Sequence, residues 1–247
     1  MAFLTRYTED RSTPPVGSAL RDLLLRAAVP AVGVWLVVVG LGLLIKDPLG
    51  GLTSEDAISK DVQGTRTATW DAVTLVWSHI GNTEIVITVC VLAVGAIWWR
   101  THQWWLAVVP AIAIALQATV FVIATAVVAR PRPHVPHLDP APPTSSYPSG
   151  HVGASTALYV SFALMATRIS NVVVRRVVIT LCIIAPLLVS FARLYRGAHH
   201  ISDIVVGILN GLLCALLAWN YLRRDPAGSS STDAAASGEN ESVQTRA

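Results

Sequence analysis

Long apolar runs alternate with short polar ones along this chain, and the apolar runs have the length of membrane-crossing helices. The clearest is Ala27–Ile45, 19 uncharged residues held between Arg26 and Lys46. A bilayer core about 30 Å thick takes roughly 20 residues of helix to cross, so this run reaches from side to side. Further runs extend from about Ile85 to Trp99, Trp104 to Ala129, Val152 to Thr167, Val177 to Ala192 and Ile204 to Leu222. The fourth and fifth are short because their polar flanks belong to the same helices. The pattern predicts an all-α bundle of six transmembrane helices. Between the first two runs, Trp70, Val73, Val76, Trp77 and Ile80 recur at helical spacing. They predict a short amphipathic helix, lying on the outer membrane surface or packed on the bundle end.

Composition agrees with the runs. Of the 247 residues 53% are hydrophobic and 13% charged, against about 25% charged in soluble domains, and mean hydropathy is +0.56. A soluble globular enzyme and a disordered chain are both excluded. The charges gather at the borders of the runs: seven in residues 1–26, eight in 46–71 and seven in 223–247. Their distribution orients the bundle. With the N-terminus inside, eleven basic residues face the cytoplasm: Arg6, Arg11, Arg21, Arg26, Arg100, Arg168, Arg175, Arg176, Arg223, Arg224 and Arg246. Seven face outward: Lys46, Lys60, Arg66, Arg130, Arg132, Arg193 and Arg196. The positive-inside rule then puts both termini in the cytoplasm, with Trp98, Trp99, Trp104, Trp105 and Trp219 forming an inner aromatic belt. Residues 1–26 read as a cytoplasmic segment, 27–222 as the membrane domain, and 223–247, rich in Ser, Ala, Gly and Glu, as a disordered cytoplasmic tail. The pI near 9.0 reflects this topology, not a nucleic-acid partner. Cys90, Cys182 and Cys214 lie inside apolar runs and read as small hydrophobes.

Four of the outward arginines break the inside bias, and they sit in three polar clusters at helix ends. Arg130-Pro131-Arg132-Pro133 stops the third span and stiffens its exit. Tyr147-Pro148-Ser149-Gly150-His151 opens the fourth, where free N–H groups and the positive end of the helix dipole favour an anion. The third cluster runs from Arg193 to Asp203 and holds Arg196, His199 and His200. His199 and Asp203 are four apart, so on a helix they share a face, and Gly207 and Gly211 continue it with room for a close neighbour. Together the clusters supply cations and N–H donors for a phosphate, plus two histidines, one to attack phosphorus and one to protonate the leaving oxygen. Asp203 has only Asp139 near it, too few carboxylates for a two-metal site. This favours phosphoryl transfer through a phosphohistidine, without metal or cofactor.

These clusters resemble the signature of the type 2 phosphatidic acid phosphatase superfamily, whose soluble relatives include acid phosphatases and vanadium haloperoxidases. The family pattern reads Lys, six residues, Arg-Pro; then Pro-Ser-Gly-His; then Ser-Arg, five residues, His, three residues, Asp. Pro148-Ser149-Gly150-His151 matches the second part in full. Arg193, His199 and Asp203 match the third, and Arg132-Pro133 the end of the first. The resemblance implies that His199 is the nucleophile, Asp203 its orienting partner and His151 the general acid. It implies that Arg132, Arg193, Ser149 and the Gly150 backbone cradle the phosphoryl oxygens. His200, off by one in spacing, is expected to be a hydrogen-bonded neighbour. Two positions depart from the pattern. Thr125 stands where Lys is usual, and Ala192 where Ser precedes the arginine. Arg130 or Arg196 is expected to replace the missing cation.

The resemblance implies a lipid phosphatase whose site faces the outer leaflet. Its substrate would be a polyprenyl diphosphate, phosphatidic acid or phosphatidylglycerol phosphate, met in the bilayer. A phosphoryl or headgroup transferase and a weakened lipid-phosphate-binding protein are the alternatives on the same scaffold.

Overall fold

The computed structural model describes residues 13–50, 52, 54–140 and 144–222. The tail 223–247, with Arg6 and Arg11, lies outside the described residues. Among the described residues eight helices follow in order: α1 (Val16–Lys46), α2 (Ser54–Gly64), α3 (Ala68–His79), α4 (Thr83–Thr101), α5 (Trp104–Val128), α6 (Gly150–Ala166), α7 (Val172–Tyr195) and α8 (Ile201–Asn220). No strand occurs among the described residues. This is the expected chemistry of a chain in lipid, where each backbone polar group must find its partner within the helix.

Among the described residues five helices, α1, α4, α5, α7 and α8, are long and apolar enough to cross a membrane. The sixth expected span, α6, has 17 residues, or about 25 Å of helix. It is a bundle member more than a lipid-facing span, packed most extensively against α8 and α7. Its interior face carries Ser155, Thr156 and Ser161, all buried. Their hydroxyls bond to backbone carbonyls of the same helix, which hides their polarity. The first helix starts well before Ala27, at Val16, and passes through a π-turn at Leu24–Ala28. The fifth run lengthens to Val172–Tyr195 by absorbing its arginine flanks.

Small residues set how closely α6 and α8 meet. A Cβ on Gly207 would stand 2.8 Å from the Ser149 carbonyl oxygen, and one on Gly211 would overlap the Gly153 carbonyl oxygen. That approach lets the Ser149 amide donate to the Asp203 carbonyl at 3.0 Å, fixing the starts of both helices together. A third close approach ties in α1. Tyr147 is fully buried, its hydroxyl donates to the Val38 carbonyl at 2.6 Å, and its ring lies where a Cβ on Gly42 would be.

Two expectations are corrected. Trp105 and Trp219 do not belong to an interfacial belt: both are buried in the cluster with Leu106, Val109 and Leu222, while Trp98 and Trp99 remain exposed. Indole bulk fills the narrow end of the bundle better than any aliphatic side chain, so burial wins over the interface there. The helix predicted around Trp70 forms as α3, but it turns its polar face inward. Thr74 and Ser78 are buried whereas Val76 is 65% exposed. Trp70, Trp77 and Phe191 pack edge to face on the outer side.

Candidate active site

α5 and α7 end, and α6 and α8 begin, at the same end of the bundle, so all three polar clusters converge there. A cavity of about 700 Å³ opens between them. Arg132, from the loop after α5, lines it together with His151 on the first turn of α6, Arg193 on the last turn of α7, and His199. Gly150 lines it too, under the Phe121 ring, which a Cβ there would meet at 2.9 Å.

His199 is buried, and its Nδ1 lies 2.7 Å from the Ser146 carbonyl oxygen. A carbonyl oxygen only accepts, so Nδ1 carries the proton and Nε2 keeps its lone pair. Burial and the charge of Arg193 push the His199 pKa down to about 3, against the opposing pull of Asp203. The imidazole is therefore neutral at neutral pH. The expected role of Asp203 as orienting partner is corrected by this geometry: its Oδ2 is 3.9 Å from His199 Nδ1, beyond hydrogen-bond range. Asp203 instead accepts from the His200 amide at 2.9 Å, from His200 Nδ1 at 3.2 Å and from Arg130 at 2.6 Å. It secures the loop, and the Ser146 carbonyl sets the tautomer. His200 caps α8 and reaches Asp56 with its Nε2, so it is the hydrogen-bonded neighbour its spacing implied.

Arg130 and Arg196 do not reach the cavity. The Arg130 guanidinium bonds Glu55 at 2.9 Å, Asp203 and the Ser202 hydroxyl. Arg196 makes a bidentate pair with Asp139 at 2.6–2.9 Å and bonds the Asp71 carbonyl. The expectation that either replaces the missing Lys is corrected: carboxylates hold both cations, the buried Glu55 and Asp203 for Arg130 and the half-buried Asp139 for Arg196. Thr125 has also turned to structure, donating its hydroxyl to the Tyr147 carbonyl.

Arg193 donates to Ser78 and Asp139, each at 3.0 Å, and Arg132 to the Ala198 carbonyl at 2.8 Å. Both keep a buried Nε without a hydrogen-bond partner, and so does the buried Ser149 hydroxyl. Buried donors are rarely left so, and two of the three belong to arginines that line the cavity, Arg132 and Arg193. Burial raises the Asp139 pKa, but hydrogen bonds and charge from Arg196, then the charge of Arg193, outweigh it and hold the carboxyl below its ordinary 3.8. His151 bonds Asn82, its Nε2 lying 3.0 Å from Oδ1. Among the described residues no group of three His, Cys, Asp or Glu side chains is placed to hold a metal.

Sequence reasoning missed Glu55, Ser78 and Asn82, and noted Asp139 without its partners. Glu55 and Asp56 lay among other charges in the 46–71 stretch, with nothing to distinguish them. Asn82 preceding an apolar run reads as an ordinary helix cap.

An all-helical membrane bundle with an anion-ready cavity and two histidines at one end defines the class: a membrane fold built for phosphoryl chemistry. The profile of the PAP2 superfamily matches residues 103–226, and the chain belongs to that superfamily. In fold it is similar to a crystal structure of the first transmembrane PAP2 type phosphatidylglycerolphosphate phosphatase from Bacillus subtilis. The TM-score is 0.69 at 20% identity, covering 77% of this chain and 94% of that one. It is also similar to Aquifex aeolicus LpxE, with TM-score 0.54 at 15% identity, covering 66% of this chain and 93% of that one. No curated protein matches at the sequence level.

Proposed function

We propose that this chain is a multi-pass membrane phosphatase that removes phosphate from a lipid phosphomonoester or diphosphate through a phosphohistidine on His199. The observation that carries the reading is the placement of His199 Nε2, unprotonated, in a cavity shared with Arg132, Arg193 and His151. Family membership and the two membrane-protein neighbours support it. In the first step Nε2 forms a bond to phosphorus while the P–O bond to the leaving group breaks. Protonated His151 gives its proton to the departing oxygen. Neutral His151 then takes a proton from water as that water attacks phosphorus, the P–N bond breaks, and inorganic phosphate leaves. Arg132, Arg193, Ser149 and the Gly150 backbone hold the equatorial oxygens, where the charge is greatest.

Val86, Ile87, Phe121 and Val122 line the rest of the cavity, between α4 and α5. Ile87 and Val122 also face outward from the bundle, which suits a substrate whose tail stays in the bilayer. The charge pattern supports a site on the outer side, both termini inside, and residues 27–222 as the phosphatase domain. Polyprenyl diphosphate, phosphatidic acid and phosphatidylglycerol phosphate are the substrates to compare.

The test is phosphate release from purified protein over that panel, with EDTA present and His199→Ala as control. Activity is expected to survive EDTA and to vanish in the variant. Activity retained by His199→Ala, or lost with EDTA, would overturn the mechanism.

A further inference from the structure

The turn between α3 and α4 lies outside all three motifs, yet it is built against His151. Gly81 packs so closely there that a Cβ would stand 2.9 Å from the His151 carbonyl oxygen. The next residue, Asn82, is the N-cap of α4. An asparagine at that position ordinarily turns its side chain back to accept from an N–H of its own first helical turn. Asn82 makes no such bond; its Oδ1 sits 3.0 Å from His151 Nε2 instead. The local role has been given up for a contact 69 residues away.

We infer that Asn82 is the positioning residue of the general acid, resting on the reading of His151 given above. An amide oxygen only accepts, so His151 Nε2 must carry a proton. Among the described residues Nδ1 has no hydrogen-bond partner, and it is left for the leaving oxygen. In the charged imidazolium both nitrogens donate, Nε2 to Asn82 and Nδ1 to the departing alkoxide. Asn82 therefore does two things: it fixes the ring so that Nδ1 faces the reaction, and it supports the charged form by accepting from the opposite nitrogen. Among the described residues the other ionisable groups lining the cavity with this ring are His79, Arg132, Asp139, Arg193 and His199, none of which hydrogen-bonds to it.

Help from a general acid is needed only when the leaving group is poor. An alkoxide from a lipid phosphate is a poor leaving group and a nitrophenolate a good one. Asn82→Ala should lower kcat/KM, which reports only the steps up to departure of the leaving group, by roughly 100-fold for a lipid phosphate, the lower range of general-acid effects. It should change kcat/KM for p-nitrophenyl phosphate by less than about threefold. Asn82→Asp, which keeps the acceptor and adds charge, should retain most of the lipid activity and move the basic limb of its pH profile upward. Equal losses on both substrates would make Asn82 a packing residue and overturn the inference, as would an unchanged rate on the lipid. His199→Ala, run beside these variants, should abolish both activities. If it does not, the phosphohistidine reading fails, whatever Asn82 shows.

Discussion

Arg130→Met separates a structural arginine from a phosphate-binding one. The substitution keeps the length of the side chain and removes its charge. The Arg130 side chain is 2% exposed and lies 2.9 Å from Glu55 and 2.6 Å from Asp203. Removing one member of a buried ion pair commonly costs about 3–5 kcal/mol, because the other charge stays behind unpaired. Here two carboxylates stay behind. Glu55 keeps the amide and hydroxyl of Ser202, and Asp203 keeps its two His200 donors, so the cost should fall inside that range. At roughly 2–4 °C per kcal/mol for a domain of this size, the unfolding midpoint should drop by about 10 °C. Glu55→Gln removes one of the stranded charges. The double variant should therefore lose about 2 kcal/mol less than the two single losses together. The assay is thermal unfolding of the detergent-solubilised protein, followed by the fluorescence of its eight tryptophans. Kinetics on a lipid phosphate are then measured well below every midpoint. KM should move by less than about threefold, since the guanidinium is turned away from the cavity. An unchanged midpoint with a tenfold rise in KM would put Arg130 on the phosphate and refute the structural reading.

The remaining expectations concern His199 and the glycine beside His151. With its pKa pushed down to about 3 by burial and Arg193, His199 should remain neutral and protonated on Nδ1 down to about pH 5, read by ¹⁵N NMR of labelled histidine. The unfolded chain takes up that proton near 6.5. The stability contributed by neutral His199 is therefore complete above pH 6.5 and is lost as pH falls from 6.5 towards 3. A His199 titration near 6.5 would contradict the burial described. Gly150→Ala places a methyl 2.9–3.0 Å from the Phe121 ring and should cost about 1–3 kcal/mol by overpacking, with reduced activity. Adding Phe121→Leu should recover part of both, and no recovery would mean that the ring is not what excludes a side chain there.

The bundle and half of the site could be read from the sequence, for different physical reasons. The spans are legible because lipid demands long apolar runs whatever the helices pack against. His151, His199, Arg132 and Arg193 are legible because each stands beside a helix end, and the helix ends meet. Arg130 and Arg196 look the same in sequence as the two arginines that reach the cavity. What sets them apart is a carboxylate 75 residues away in one case and 57 in the other, a pairing that local pattern does not carry. The orienting partner of His199 was hidden for another reason. It is a backbone carbonyl, which every residue has, so no side-chain motif could mark Ser146. The inward polar face of α3 followed its periodicity but reversed the side expected of a bundle in water.

That reversed helix also acts as a float. Its Ser78 accepts from Arg193 of the cavity and its Thr74 from the neighbouring Arg196, while Trp70, Trp77 and Phe191 form an aromatic collar on the other side. Indole rings prefer one depth, the boundary between headgroups and hydrocarbon. The collar is tied through α3 to Arg193 and Arg196, so the level at which it rides sets the level of the catalytic chemistry. The distance from membrane surface to reacting phosphorus thus becomes a property of the protein, and a lipid whose phosphate sits higher or lower must move to meet it.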